Sequence, residues 1–253
     1  MRTRNKSEEI KVQTLIRRGS MLTGYVLYEG PSAYDGVPIV VIATSNSKNT
    51  KTGRMWQTWI MLQDVAPHEA VKTGADYSVC GNCPLRPLNY KANGLAKPCY
   101  VLTFQAPLSV WRKYKRGGYP HIALSDFRQV LQGASIRLGS WGDPATVQFK
   151  VWQALGIGSG EFTHTSYTHG YLVDGFDDRN LQISMVSIDP VTELLPELPT
   201  GRSFRVISSV DQLQQGEILC PASKEQGYRT TCSKCGLCGG QSRKAKNIAI
   251  VIH

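Results

Sequence analysis

The stretch SIRLGSWGDPATVQFKVWQAL, residues 135–155, decides the prediction of the fold. Its first part, 135–141, is a short β-rich run. Its second part, 143–155, opens with Asp-Pro, an N-cap residue followed by proline at the first helical position. Val147, Val151 and Leu155 then recur on one helical face. The stretch therefore predicts a strand followed directly by a helix, which is the repeating unit of parallel α/β folds.

Similar β-rich runs lie on both sides of this unit. They are VPIVVIAT (37–44), CYVLTF (99–104), FTHTSYT (162–168), ISMVSID (183–189), SFRVISS (203–209), EILCPAS (217–223) and NIAIVIH (247–253). Helical candidates at 125–132, 189–198 and 210–215 separate several of them. Eight strands alternating with helices predict an α/β fold, a (β/α)8-like barrel with eroded helices. An open doubly wound sheet is the alternative.

The composition predicts one domain inside a cell. Residues 1–36 are expected to be a peripheral N-terminal segment. Residues 37–253 are expected to form a single barrel domain, with a long insertion at 45–98 and a Cys-rich metal loop at 220–240. The start of the chain is charged and lacks the apolar region of a signal peptide. No apolar run approaches the roughly 20 residues that cross a bilayer, so no membrane partner is expected.

Seven cysteines fall into two groups with metal-ligand spacing. Cys220, Cys232, Cys235 and Cys238, in the pattern C-x11-C-x2-C-x2-C, predict a closed structural Zn²⁺ site. Cys80, Cys83 and Cys99, in the pattern C-x2-C-x15-C, supply three ligands and need a fourth, for which His164 and His169 are candidates. A [4Fe–4S] cluster at this trio, or a plain proline-rich loop, is the alternative.

A formal net charge of +10 and a pI near 9.3 predict a polyanionic partner, DNA above all, against the alternative of a merely solvated basic surface. The basic runs also carry aromatic residues, which can stack on unpaired bases. The predicted DNA contacts are Lys48, Lys51, Arg54, Arg112, Lys113, Lys115, Arg116, Arg243 and Lys244.

Asp143 and Asp189 are the candidate catalytic residues, because both follow predicted strands. At the mouth of a barrel such a carboxylate pair can act as nucleophile and general base on a sugar. The alternative is that each merely caps a helix, since each precedes proline. The predicted substrate contacts are Ser45, Asn46, Ser140, Trp141, Gly142, Tyr167 and His169.

The order CGNCP, PCYV, RLGSWGDPA, YTH, SID, CPAS, TTCSKCGLC and IAIVIH over residues 37–253 resembles a group of bacteriophage proteins, the gene-88-type Cys-rich family. It is also similar to phage relatives of the tRNA-guanine transglycosylases. These enzymes exchange guanine in DNA for a 7-deazaguanine such as preQ0 and so protect the genome from restriction enzymes.

The resemblance implies a transglycosylase in the cytoplasm of an infected bacterial host. It implies zinc at Cys220, Cys232, Cys235 and Cys238, and a covalent Asp–deoxyribose intermediate on Asp143 or Asp189, formed on a flipped or single-stranded nucleotide. The transglycosylase zinc pattern, three cysteines and a histidine, differs from the four cysteines here. Two alternatives are an iron–sulfur enzyme of the radical-SAM type and a non-catalytic, zinc-stapled DNA-binding protein.

Overall fold

Ten strands form two open five-stranded sheets in a computed structural model that describes residues 24–45, 49–95 and 98–252. The N-terminal sheet has the order β1 (Gly24–Pro31), β2 (Pro38–Thr44), β3 (Trp56–Leu62), β4 (Ser135–Trp141) and β5 (Thr163–Thr165). The C-terminal sheet contains β6 (Tyr167–Thr168), β7 (Met185–Ile188), β8 (Ser203–Ile207), β9 (Glu217–Leu219) and β10 (Asn247–Val251). Its spatial order is β6-β7-β8-β10-β9.

The prediction of a (β/α)8 barrel is therefore wrong. β1, β2 and β3 pair antiparallel, whereas β3, β4 and β5 are parallel, as are all pairs of the C-terminal sheet. A barrel of the predicted kind requires one closed ring of parallel strands. Ile39 to Ala43 in β2 are fully buried, which is expected of a strand covered on both faces. Burial of that kind does not reveal the direction of the neighbouring strands.

Two predicted runs account for much of the difference. Residues 99–104 form no strand, and their Tyr100, Leu102 and Phe104 side chains are exposed. The run 162–168 is divided at Ser166, so that β5 ends one sheet and β6 begins the other. The chain thus passes from sheet to sheet where a barrel would have needed one continuous strand.

The helices of the described residues are short. The α-helices are α1 (Pro67–Thr73), α2 (Tyr77–Cys80), α3 (Ala106–Lys115), α4 (Leu124–Val130), α5 (Phe149–Ala154) and α6 (Cys232–Cys235). The helix predicted over 143–155 is split into a 3-10 turn, Pro144–Thr146, and α5, because Val147 is extended. None of these helices is both long and apolar enough to cross a bilayer.

The larger core lies around the central strands of the N-terminal sheet, with Ile60, Ile136 and Trp152 fully buried. A smaller core covers one face of the C-terminal sheet, where Met185 and Ile248 pack with cysteines of the 220–240 loop. The opposite face carries a buried ion pair between Arg205 and Glu217. The division at residue 36 stays a prediction, but β1 pairs along its length with β2.

Candidate functional site

The carboxyl ends of β4, β6 and β7 meet at one edge of the molecule, which we call the site edge. Asp143 follows β4, His169 follows β6 and Asp189 follows β7. The Asp143 Oδ2 atom accepts the backbone N–H of His169 at 2.7 Å, and the His169 Nε2 atom lies 3.1 Å from Asp189 Oδ2. The two aspartates predicted as a pair are thus both bound to the same histidine.

Both carboxylates also accept hydrogen bonds from backbone N–H groups just after them, and Asp143 is the N-cap of a 3-10 turn. Asp143 Oδ1 accepts hydrogen bonds from Ala145 N at 2.9 Å and from the Thr168 hydroxyl at 2.7 Å. Asp189 Oδ1 accepts from the backbone N–H groups of Val191 and Thr192. The aspartates are only 9% and 3% exposed, respectively. This bonding agrees with the capping interpretation of the Asp-Pro pairs.

His169 connects the aspartates to the first cysteine group, since its Nδ1 atom lies 3.4 Å from Cys83 Sγ. Burial lowers its pKa, but Cys83 and Asp189 outweigh burial and raise that pKa to about 10. Burial raises the pKa of Asp189, yet the bonded His169 lowers it below its usual value. For Asp143 burial dominates and raises the pKa. His164, by contrast, bonds Ile183 O at 3.0 Å, and burial lowers its pKa.

Backbone hydrogen bonds hold the first cysteine group in one compact loop. Cys80 is the last residue of α2, Cys83 N donates to Cys80 O at 3.2 Å, and Cys99 N donates to Leu85 O at 2.7 Å. Burial, followed by the nearby Cys83, Asp76 and Cys99, raises the pKa of the Cys80 thiol.

The buried side chain of Arg86 also holds this loop in place. Arg86 bonds both carboxylate oxygens of Asp76, at 3.1 and 2.6 Å, and also the carbonyls of Gly81 and Gly74. Beside the loop lies a shallow cavity of about 240 Å³, lined by Asn82, Pro84, Asn93, Leu172, Val191, Thr192 and Leu195. Several of these residues are neighbours in sequence of Cys83 and Asp189, but none of Asp143, His169, Asp189 and Cys83 lines the cavity itself.

The second cysteine group lies on one face of the C-terminal sheet. Cys220 follows β9, Cys232 and Cys235 bound α6, and Cys238 is buried in the small core. Burial and the other three thiols raise the pKa of Cys238 to about 12, against the effect of Tyr167.

Two cations face this group. Lys51 and Arg137 both act to lower the pKa of Cys232, although burial raises it overall. The backbone N–H groups of Cys232 and Ser233 donate to Lys51 O and Thr52 O, each at 2.9 Å. The segment before β3 is therefore fastened to the C-terminal cysteine loop. These two cations offset part of the effect of burial on the Cys232 thiol, whose pKa is still raised overall.

Neither group is already arranged as a metal centre. Over residues 24–45, 49–95 and 98–252, no set of three or more His, Cys, Asp or Glu side chains is placed so that it could hold an ion. Zn²⁺ at the second group and Zn²⁺ or a [4Fe–4S] cluster at the first stay predictions. The ligand types in each group suit thiophilic metals and not Mg²⁺ or Ca²⁺.

Among the other predicted substrate contacts, Ser140, Trp141 and Gly142 do lie at the carboxyl end of β4, beside Asp143, but each is engaged within the fold. Ser45 follows β2, whose last residue Thr44 pairs with Gln57 at the start of β3, so Ser45 lies at the opposite edge. Ser140 donates to Gln57 Oε1, and Trp141 belongs to the main core. Gly142 has a positive φ of 86° and packs against Ile60. Tyr167 packs edge-to-face against Phe204 and contacts Cys238. Asn46 lies outside the described residues, as does Lys48.

The predicted DNA contacts divide into two sets, one on and next to α3 near the residues that follow β3 and one that includes the residues preceding β3. In the α3 set, Lys115 pairs with Asp64 at 2.9 Å and Lys113 lies over the ring of Tyr119. Arg112 and Arg116 belong to the same set. The second set is Lys51, Arg54, Arg243 and Lys244, and in the described part of the chain none of these forms an ion pair with an acidic residue.

Of the two histidines expected as a possible fourth ligand of the first cysteine group, His169 lies against Cys83, whereas His164 bonds Ile183 O. Sequence reasoning missed two other contributors: Thr168 supports Asp143, and Arg137 lies beside Cys232. The position of Arg137 inside a predicted strand could have indicated its role, because an arginine in a strand that packs in the core needs a partner. Comparisons with protein-family models, curated proteins and solved structures found no match to this chain.

Proposed function

We propose that this protein binds nucleic acid, with DNA the expected ligand, through a basic surface around its C-terminal cysteine loop. The basic surface consists of Lys51, Arg54, Lys234, Arg243 and Lys244. The observation that carries the proposal is the fastening of residues 51–52 to Cys232 and Ser233. It brings the segment that carries Lys51 and Arg54 beside the loop that carries Lys234, and Arg243 and Lys244 follow that loop in sequence.

Charge and exposure support this choice of surface. Arg54, Lys234, Arg243 and Lys244 are exposed, and cations without acidic partners attract phosphate more strongly than paired ones such as Lys115. Arg112 and Arg116 next to Lys115 are exposed as well, so the matched control on α3 compares the two surfaces. Tyr228, on the same loop, is 62% exposed. An exposed aromatic ring among cations offers a stacking surface for an unpaired base. Single-stranded nucleic acid is therefore the form that we expect to bind more tightly.

Zinc at Cys220, Cys232, Cys235 and Cys238 would have a structural role in this proposal. Four thiolates would close the coordination sphere and hold the loop that displays Lys234. Lys51 and Arg137 would offset part of the negative charge of such a centre. No reaction is assigned to the metal.

The transglycosylase activity stays a prediction, and two features count against it. The described residues form no closed barrel whose rim the activity requires, and both aspartates are buried with carboxylate oxygens that already accept hydrogen bonds. One feature favours it, namely that Asp143 and Asp189 meet at His169. Mass spectrometry of the nucleosides in DNA, taken from cells that express the protein and are supplied with a deazaguanine, tests for this activity. A modified base that is lost in Asp143→Asn or Asp189→Asn would establish the enzyme.

Binding is tested by fluorescence anisotropy with labelled single-stranded and duplex oligonucleotides over a range of salt concentrations. Each lost phosphate contact should reduce the slope of log K against log salt by about 0.7–0.9. The Arg54→Gln/Lys234→Gln variant should therefore lose about two such increments. The matched control, Arg112→Gln/Arg116→Gln on α3, should bind as the unaltered protein does. A larger loss in the control would place the surface on α3, and no salt-dependent binding at all would refute the function.

A further inference from the structure

We propose that Cys80, Cys83, Cys99 and His169 bind one zinc-like divalent ion in a second centre, with Asp189 as the positioning residue for His169. The seven cysteines leave the first group one ligand short of a closed site. The fold supplies that ligand by bringing His169 to Cys83 from the carboxyl end of β6. The proposal does not depend on nucleic-acid binding.

The orientation of the imidazole is the first argument. Its Nε2 atom is bonded to the Asp189 carboxylate, which leaves the Nδ1 atom, 3.4 Å from Cys83 Sγ, as the nitrogen for an ion. Metal-binding histidines usually donate their second N–H to a carboxylate in this way. Asp189 is itself fixed by the backbone N–H groups of Val191 and Thr192.

The placement of the three thiols is the second argument. Cys80, Cys83 and Cys99 are fastened into one loop by the bonds Cys83 N to Cys80 O and Cys99 N to Leu85 O. Arg86 and Asp76 brace that loop from the buried side. The Asn82 side chain also donates to Leu172 O at 2.8 Å, which fastens the loop to the segment that follows His169. The four donors thus come from segments that are already held together.

The thiols are not yet directed at a common point, so binding requires their side chains to turn toward the ion. Three sulfurs and one nitrogen match the Cys₃His set of structural zinc sites. The competing interpretation makes Cys83 a nucleophile activated by His169 and Asp189. The adjacent thiols of Cys80 and Cys99 favour the ion, because a nucleophile needs neither of them.

Metal analysis of the full-length protein tests the proposal. Plasma mass spectrometry should find one equivalent of zinc fewer in His169→Gln than in the unaltered protein, whatever the C-terminal cysteines hold. The matched control His121→Gln, at an exposed histidine, should lose none. His169→Cys, which keeps a ligand, should retain the equivalent. Asp189→Asn should retain it with about 10–100-fold weaker affinity in chelator competition.

A second measurement reports the ligand set by its spectrum. Cobalt(II) added to the unaltered protein should give intense visible bands of tetrahedral sulfur–nitrogen coordination, and these should change in His169→Cys. Unchanged zinc content in a folded His169→Gln protein would overturn the proposal. So would iron with acid-labile sulfide at this trio, or a metal-free protein in which Cys83 is alkylated much faster than the other cysteines. Loss of nucleic-acid binding in the basic-surface variant would leave this result unaffected.

Discussion

Replacing Asp143 by alanine tests whether this residue is chiefly a structural link between the two sheets. Its carboxylate joins the end of β4 in the N-terminal sheet to Thr168 and His169 at the end of β6 in the C-terminal sheet. It also caps the 3-10 turn Pro144–Thr146 through Ala145 N. Three hydrogen-bond donors therefore lose their acceptor together.

The magnitude follows from those donors. Loss of an N-cap costs about 1 kcal/mol, and each buried donor left without a partner costs about 1–3 kcal/mol. Ala145 and Thr168 are buried at 4% and 1% exposure. Because neighbouring terms do not add fully, we expect Asp143→Ala to lower the free energy of unfolding by about 3–5 kcal/mol. Asp143→Asn keeps one acceptor oxygen and should lose about 1–3 kcal/mol.

Urea unfolding monitored by circular dichroism measures both changes. Asp177→Ala is the matched control, because Asp177 also caps a 3-10 turn but its side chain is 35% exposed. The control should lose no more than about 1 kcal/mol. If Asp143→Ala and Asp177→Ala cost the same small amount, the carboxylate does not hold the two sheets together and the reasoning fails.

Three further predictions concern the frame around the sites. Gly142→Ala should lower the free energy of unfolding by about 1–3 kcal/mol, because its φ is 86° and an added Cβ would lie 2.7 Å from Ile60 in β3. The control Gly36→Ala also has a positive φ but has open space around it, so it should lose less. Equal losses in the two variants would show that packing against β3 is not the cause. Arg86→Leu should cost about 3–5 kcal/mol and, by releasing the loop, weaken metal retention at the first cysteine group, as chelator competition would detect. Burial raises the pKa of Glu217, but the ion pair with Arg205 outweighs burial and lowers that pKa overall. The ionised Glu217 therefore stabilises the fold fully above the usual pKa range of glutamate, and this stabilisation is lost as the pH falls through the lowered pKa. Glu217→Gln should therefore lose less stability on acidification than the unaltered protein, and an unchanged pH profile in chemical denaturation would contradict this.

The local elements were largely predictable. β4, β7, β8 and β10 lie within the β-rich runs that the sequence marks, because short apolar stretches bounded by turn residues have few other solutions. Asp143 was identified as a cap before Pro144, and the 3-10 turn there is capped by its side chain. The polar residues after β4, β6 and β7 were expected at a common rim, and Asp143, His169 and Asp189 do meet.

The arrangement of those elements was not predictable in the same way. Nothing in the apolar β2 run reveals that it lies antiparallel between β1 and β3, since complete burial looks the same in either direction. Ser45 and Asp143 were consequently predicted at the same rim, although they lie at opposite ends of the strands of the N-terminal sheet.

By itself, the sequence determined the charge of this protein, the grouping of its cysteines and the positions of most of its strands, because these depend on composition and on neighbours along the chain; β1 and β3 lay outside the predicted runs. Only the tertiary structure decided that two open sheets replace a ring and that His169, 86 residues from Cys83, becomes its partner. Such contacts depend on strand direction and on where the chain changes sheets, as it does at Ser166. Those choices are settled by the burial of the whole core and not by any local pattern.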